Sequence, residues 1–362
     1  MLYVLFFLTI SGLVFFGLLL VPRQKFIFNH RKDYPLISIV IAVRNEEGNL
    51  PELFKSLDEL DYPKDKIQVL LGDDESADNS LMLMQKYAEA KDFVEVHQIV
   101  PTVVQKAKGN VLMQLGEKAK GEFMLFIDAD IRPNPKLILN YLKHWEEDLA
   151  GITGVTLPKA DSFFARLQRV DWAITLSMGA DAQTMGYDVT AMGNNMFVSR
   201  KAYEAIGGYR KVLISVVEDF ALYEKFRSVG YRFPLKFTSD LYSHTYAIST
   251  FGELLKQRKR WMSGGMKVHW GLKTMLFAQA LFYPVLLVGL FLFPFQVMGL
   301  WIVKTFVQVF YGANAFRMLD IKIPWLYLFF HEIYSCIFTC SLLVYYVLPV
   351  KIKWKDRVYG DS

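Results

Sequence analysis

The chain has 362 residues, of which 53% are hydrophobic and 21% charged, and it carries a net charge of +5. It is too long for one average domain and too apolar for a fully soluble protein, and its two cysteines exclude a disulfide framework. With no basic stripe interleaved with aromatics, the modest positive charge excludes nucleic acid as the expected partner; it is assigned to residues flanking apolar segments.

The first of these segments, Leu2–Val21, opens the chain. No Lys or Arg precedes it and no small-x-small cleavage site lies before Arg23. Residues 1–22 therefore read as an uncleaved transmembrane anchor and not as a signal peptide. Arg23, Lys25, Arg31 and Lys32 follow closely, and the positive-inside rule puts the next segment in the cytosol.

Residues 35–270 alternate β-rich runs with helical patterns. The run 36–43 is continuous and β-branched, as in a buried parallel strand. It ends at Asn45-Glu46-Glu47, and 49–60 carries apolar residues at helical spacing. A second strand, 67–72, ends at Asp73-Asp74, before a helix over 79–90. A third strand is expected over 94–100. Lys108 is then expected on a loop before a helix over 111–119. The fourth strand, 123–127, ends at Asp128-Ala129-Asp130. Strand–helix alternation of this kind gives an α/β fold with a parallel sheet. In such sheets ligands bind outside the carboxyl ends of the strands, so the three acidic clusters are expected on one rim. A single cluster is explained by turn formation; three at strand ends point to a site.

Asp128 and Asp130 are two residues apart, so in extended chain both reach one side. Their hard oxygens suit Mg²⁺ or Mn²⁺, with diphosphate oxygens filling the remaining positions. Glu46, Asp73 and Asp74 suit the N–H and hydroxyl donors of a nucleoside, and the Lys108 ammonium suits phosphate. Residues 161–185 predict an amphipathic helix, either packed on a core or lying at a membrane surface. Glu218-Asp219 follows the apolar run 212–217 and opens a helical segment. A carboxylate there can take a proton from an acceptor hydroxyl; the plainer reading is an acid favoured at a helix start. Gln257-Arg258-Lys259-Arg260-Trp261 offers guanidinium groups for diphosphate and a ring against which a sugar can stack. A basic–aromatic belt at a membrane interface would share that composition.

Two more apolar stretches follow, 275–303 and 323–350, each long enough for a bilayer. The first holds Pro284 and Pro294 and is expected as one kinked or partly re-entrant segment. Region 275–350 is thus read as two spans or more. The basic tail 351–362 then returns to the cytosol. Cys336 and Cys340 are read as ordinary membrane-helix residues.

Together these motifs resemble the membrane-bound family-2 glycosyltransferases, whose separated aspartates are closed by Gln-x-x-Arg-Trp. That group includes polysaccharide synthases and smaller enzymes that glucosylate ceramide, hopanoids or carotenoids. The resemblance runs from about residue 35 to 265 and implies a GT-A (Rossmann-like) catalytic domain with N- and C-terminal transmembrane helices. It implies inverting transfer from a UDP-sugar with Mg²⁺ or Mn²⁺. Glu46, Asp73, Asp74 and Lys108 would hold the nucleotide, and Ala107 stands where the family has Gly. Asp128 and Asp130 would bind donor and metal, with Asp219 as base beside Glu218. Gln257, Arg258, Arg260 and Trp261 would close over diphosphate and acceptor, and Gly193-Asn194-Asn195-Met196 would lie on the acceptor side. The expected acceptor is a lipid at the cytosolic face of a bacterial inner membrane. The alternatives are a processive polysaccharide synthase, with an accessory subunit or a second copy supplying helices, and a catalytically dead scaffold.

Overall fold

A computed structural model describes residues 2–22, 24, 26, 28, 33–187, 192–215, 217–265, 270–348, 352–354 and 357–359. The basic flank Arg23, Lys25, Arg31 and Lys32, and Lys351, Lys355 and Asp356 of the tail, lie outside them. In chain order the elements begin with α1 (Leu2–Leu19), β1 (Ile37–Val43), α2 (Leu50–Asp58), β2 (Ile67–Asp73), α3 (Ser80–Glu89), β3 (Val94–Gln98) and α4 (Ala107–Gly116). Next come β4 (Phe123–Ile127), α5 (Leu137–Lys143), β5 (Gly151–Thr153), β6 (Val155–Pro158), α6 (Phe163–Thr184), β7 (Asn195–Ser199), α7 (Arg200–Ala205) and α8 (Glu218–Ser228). The chain closes with β8 (Tyr242–Thr245), α9 (Phe251–Gly265), α10 (Trp270–Leu292), α11 (Pro294–Met318), α12 (Trp325–Val347), β9 (Ile352–Trp354) and β10 (Arg357–Tyr359).

The chain forms two compact units. One comprises Lys25–Leu157 and Thr190–Tyr246. Its sheet has the order β3-β2-β1-β4-β7-β5. Strands β1 to β4 are parallel, paired in registers such as Ile37 with Ile67 and Ile37 with Phe123. β7 and β5 extend the sheet in antiparallel fashion. The chain runs outward from β1 to β3 and returns to the other side of β1 as β4. That reversal is the switch point at which Rossmann-like sheets open a crevice. The core holds Ile37, Ile39 and Ile41 of β1 against Leu50, Leu53 and Leu57 of α2, as the strand and helix periodicities require. Opposite, α4 lies so close to β2 that a Cβ on Gly72 would come 2.6 Å from Val111.

The expected strands over β1–β4 and the helices α2, α3 and α6 are present within a few residues. One expectation is corrected. α4 begins at Ala107, so Lys108 sits in the first turn of the helix and not on a preceding loop.

The second unit comprises Met1–Gln24, Pro158–Val189 and Ala247–Ser362. α6 is capped by Ser162, whose hydroxyl accepts from the Ala165 N–H. Its Leu167 joins a cluster with Leu254 of α9 and with Tyr334 and Phe338 of α12. The apolar stretch 275–303 is not one kinked segment. The helix breaks at Phe293, and Pro294 opens α11, a position proline suits because its missing N–H is unused there. α10 and α11 run antiparallel: Lys304 Nζ donates to Tyr283 Oη at 3.0 Å, and a Cβ on Gly289 would meet Val297 at 3.1 Å. α12 is long and apolar enough to cross a membrane, and Tyr3–Leu19 and Phe277–Leu292 are shorter apolar helical segments. Between α11 and α12 lies a buried ion pair, Lys304 to Glu332 at 2.7 Å. Gln308 Oε1 accepts from Lys304 at 2.6 Å and the Trp301 indole donates to Glu332 at 2.9 Å.

Candidate active site

The first unit carries its acidic clusters at the carboxyl ends of β1, β2 and β4. Two loops are laced together there. The Asn45 N–H donates to Ser76 Oγ at 3.1 Å, the Glu46 N–H to Ser80 Oγ at 2.8 Å, and the Ala77 N–H to Asn45 Oδ1 at 2.8 Å. The left-handed φ of Asn45 (+50°) and Glu75 (+56°) turns the chain back at these strand ends. Asp73 and Asp74 are both buried. Asp73 Oδ2 accepts from the Ser76 N–H at 3.3 Å, while its buried Oδ1 has no hydrogen-bond partner among the described residues. An orphaned buried carboxylate oxygen is costly unless a ligand donor meets it.

Lys108 organises the centre. Its ammonium lies 2.7 Å from Asp128 Oδ1 and 2.9 Å from Glu218 Oε1, joining the end of β4 to the start of α8. Burial alone would lower the lysine pKa; the carboxylates of Asp128, Glu218 and Asp219 outweigh it and hold the ammonium well above the usual range. Asp219 stands beside this bridge. Its Oδ2 accepts from the Gly193 N–H at 2.7 Å and its Oδ1 from the Phe220 N–H at 2.8 Å. Burial, then the Glu218 carboxylate, pushes its pKa up to about 6. That value suits a group that is ionised at neutral pH and can still take a proton.

Asp130 accepts from Thr245 Oγ1 at 2.9 Å. Burial, followed by the carboxylates of Asp128 and Glu46, pushes its pKa up to about 6. Such crowding of negative charge is relieved by a cation. Among the described residues no cluster of three His, Cys, Asp or Glu side chains is placed to hold a metal ion alone. Asp128 and Asp130 still offer two hard oxygen donors, so the pair fits a divalent ion completed by diphosphate and water.

Sequence reasoning brought Glu46, Asp73, Asp74, Lys108, Asp128, Asp130, Glu218 and Asp219 to one unit, and they share one end of its sheet. It did not foresee how they are supported. Arg132 is buried; it donates to the Ala129, Ile131 and Asn49 carbonyls and lies 5.3 Å from the Tyr246 ring. Thr245 meets Asp130 across 115 positions, and no local pattern signals that. For Arg132 the signal was present: it lies two residues after Asp130 and directly precedes Pro133.

Gln257, Arg258, Arg260 and Trp261 lie on α9, in the second unit. Within that unit Arg258 Nη2 donates to Asp171 Oδ2 at 2.7 Å. Its guanidinium lies 4.4 Å from the Trp172 ring and 4.8 Å from the Trp261 ring, and the two indoles meet edge to face at 5.0 Å.

A family model described as glycosyl transferase family 21 matches residues 4–360. The β-monoglucosyldiacylglycerol synthase of Nostoc sp. strain PCC 7120 is 23% identical over 260 residues, 71% of this chain and 54% of that protein. The poly-β-1,6-N-acetyl-D-glucosamine synthase of Staphylococcus aureus strain MSSA476 is 25% identical over 236 residues, 64% of this chain and 55% of that protein. The chain thus spans about half the length of these curated relatives. The solved mannosyltransferase PcManGT from Pyrobaculum calidifontis, in complex with GDP-Man and Mn²⁺, has the same fold: TM-score 0.57 at 15% identity, over 95% of this chain and 98% of that one.

Proposed function

We infer the reaction from one premise: this chain belongs to glycosyl transferase family 21 and is a glycosyltransferase. It transfers a sugar from a nucleoside-diphosphate donor, a UDP-sugar, to a membrane-associated lipid, inverting the anomeric centre. It does so as an integral membrane protein anchored by α1 and by C-terminal helices of the second unit, with the first unit on the cytosolic face. The observation that carries this reading is the Lys108 bridge between Asp128 and Glu218, with Asp219 and Asp130 on either side.

Asp219 takes the proton of the acceptor hydroxyl as that oxygen attacks the anomeric carbon. Its orientation comes from two backbone N–H donors, so the carboxylate needs little rearrangement when it reacts. Lys108 places positive charge where the leaving diphosphate gathers negative charge. Asp73, through its unpartnered Oδ1, takes a base or ribose donor, with Asp74 and Glu46 beside it. Asp130 and Asp128 would hold a Mg²⁺ or Mn²⁺ ion, which neutralises diphosphate charge when bound. Within the second unit, Arg258 is held by Asp171 beside the Trp261 ring of the same helix.

Purified chain is incubated with lipid extract, Mn²⁺ and, separately, UDP-glucose, UDP-galactose, UDP-N-acetylglucosamine or GDP-mannose. Nucleotide release with a UDP-sugar, abolished by chelator and reduced about 10²- to 10⁴-fold in Asp219→Asn, is the expected result. Unchanged release in that variant removes Asp219 from the base role, and release from GDP-mannose alone overturns the donor. A polymer-forming reading is supported by the similarity to the staphylococcal synthase. Mass spectrometry of the product separates one added sugar from many.

A further inference from the structure

Two loops of the first unit flank the carboxylate site, one running from β3 to α4 and one leading to α8. Both expose large aliphatic side chains: Val103 is 92% exposed and Leu213 78%, with Val100 and Ile214 also open to solvent. The loops are fixed to each other. The buried Gln105 amide donates to the Tyr209 carbonyl at 2.8 Å and to the Val212 carbonyl at 2.6 Å. Its Oε1 lies 3.0 Å from where a Cβ on Gly109 would stand, and Glu218 Cβ lies 3.8 Å from the same point. The aliphatic lip therefore adjoins the Lys108–Glu218 bridge. Two exposed lysines, Lys106 and Lys211, border it, and among the described residues neither has an ion-pair partner.

Folding does not leave aliphatic groups this open on ordered, cross-tied loops for the sake of stability, since each one forgoes burial. Unpaired lysines beside exposed aliphatics make an amphipathic rim. That combination matches a bilayer surface: the apolar groups enter the acyl boundary while the ammonium groups meet anionic headgroups. A protein partner would be served by the aliphatics but gives no reason for the two unpaired cations.

We propose that the Val103 and Leu213 loops form a membrane-contact lip resting on an anionic bilayer, from which a lipid-borne acceptor passes directly to Asp219. The acceptor clause rests on the transferase reading; the bilayer contact does not.

The test uses the full chain with Cys336→Ser and Cys340→Ser, carrying an environment-sensitive fluorophore at Val103→Cys or Leu213→Cys. Glu89→Cys, on exposed α3, serves as control. Each is reconstituted in phosphatidylcholine nanodiscs with and without phosphatidylglycerol. The expected result is a blue shift at 103 and 213, with quenching by acyl-chain nitroxide lipid that strengthens with phosphatidylglycerol. Position 89 stays open to aqueous iodide, and Lys106→Glu with Lys211→Glu removes the dependence on anionic lipid. Iodide quenching at 103 and 213 equal to that at 89 overturns the proposal. A blue shift without nitroxide quenching, rising with protein concentration, also overturns it by showing that a second copy covers the lip. The optical readout requires no sugar transfer, so its failure is distinct from failure of the transferase assay. Flotation of the unlabelled chain with the lipid checks membrane association separately.

Discussion

The Gly193 N–H donates to Asp219 Oδ2 at 2.7 Å, and that contact leaves no room for a side chain at 193. A Cβ there would stand 2.5 Å from Asp219 Cβ and 2.9 Å from Oδ2. Gly193→Ala should therefore displace the base without touching the nucleotide residues. The expected outcome is a fall in kcat of about 10²-fold, with the donor KM nearly unchanged. Steady-state kinetics over a donor series, with circular dichroism to verify folding, checks it.

The pH dependence follows from Asp219. Its pKa of about 6 lies above that of an ordinary aspartate, so below pH 6 the carboxylate is protonated and cannot act as base. Activity should fall about tenfold per pH unit below 6 and level off above it. Stability runs the other way. Because the folded chain holds this proton more tightly than the unfolded one, the contribution is fully present below the unfolded pKa and is lost as pH rises through about 6. A kcat/KM profile alongside thermal unfolding at the same pH values reads both trends.

Ala107 holds a φ of +47° immediately before Lys108. A Cβ is strained in that left-handed region, whereas glycine adopts it freely. Ala107→Gly should stabilise the first unit by about 1 kcal/mol, the relief of strain outweighing the entropy gained by the unfolded chain. A rise in the denaturation midpoint is the expected readout.

Lys304 and Glu332 are both buried, so removing one partner strands the other. Lys304→Met should cost about 3–5 kcal/mol, and adding Glu332→Leu should recover most of it. Thermal unfolding of both variants in detergent, compared with the parent chain, measures the difference.

The parallel half of the fold was legible because β1, β2 and β4 are near-continuous apolar runs ending in acids, so strand and site were written in the same residues. The antiparallel half was not: β5 is three residues long, and its burial depends on β7, which is distant in sequence. The early start of α4 was hidden because its first turn holds Gly109 and Asn110, weak helix formers that packing overrides. The break between α10 and α11 looked like a kink, since composition stays apolar across Phe293 and Pro294. The acids of the site could be named from the sequence, but their aim could not. The Gly193 amide and Thr245 meet them only through the folded chain.

The Lys304–Glu332 pair also bears on how the chain is made. In the membrane reading, α11 emerges from the ribosome with an unneutralised ammonium, and α12, which follows, carries the answering carboxylate. Neither helix can be released into hydrocarbon alone without exposing its charge to lipid. In that reading, pairing favours entry of the two helices into the bilayer as one hairpin.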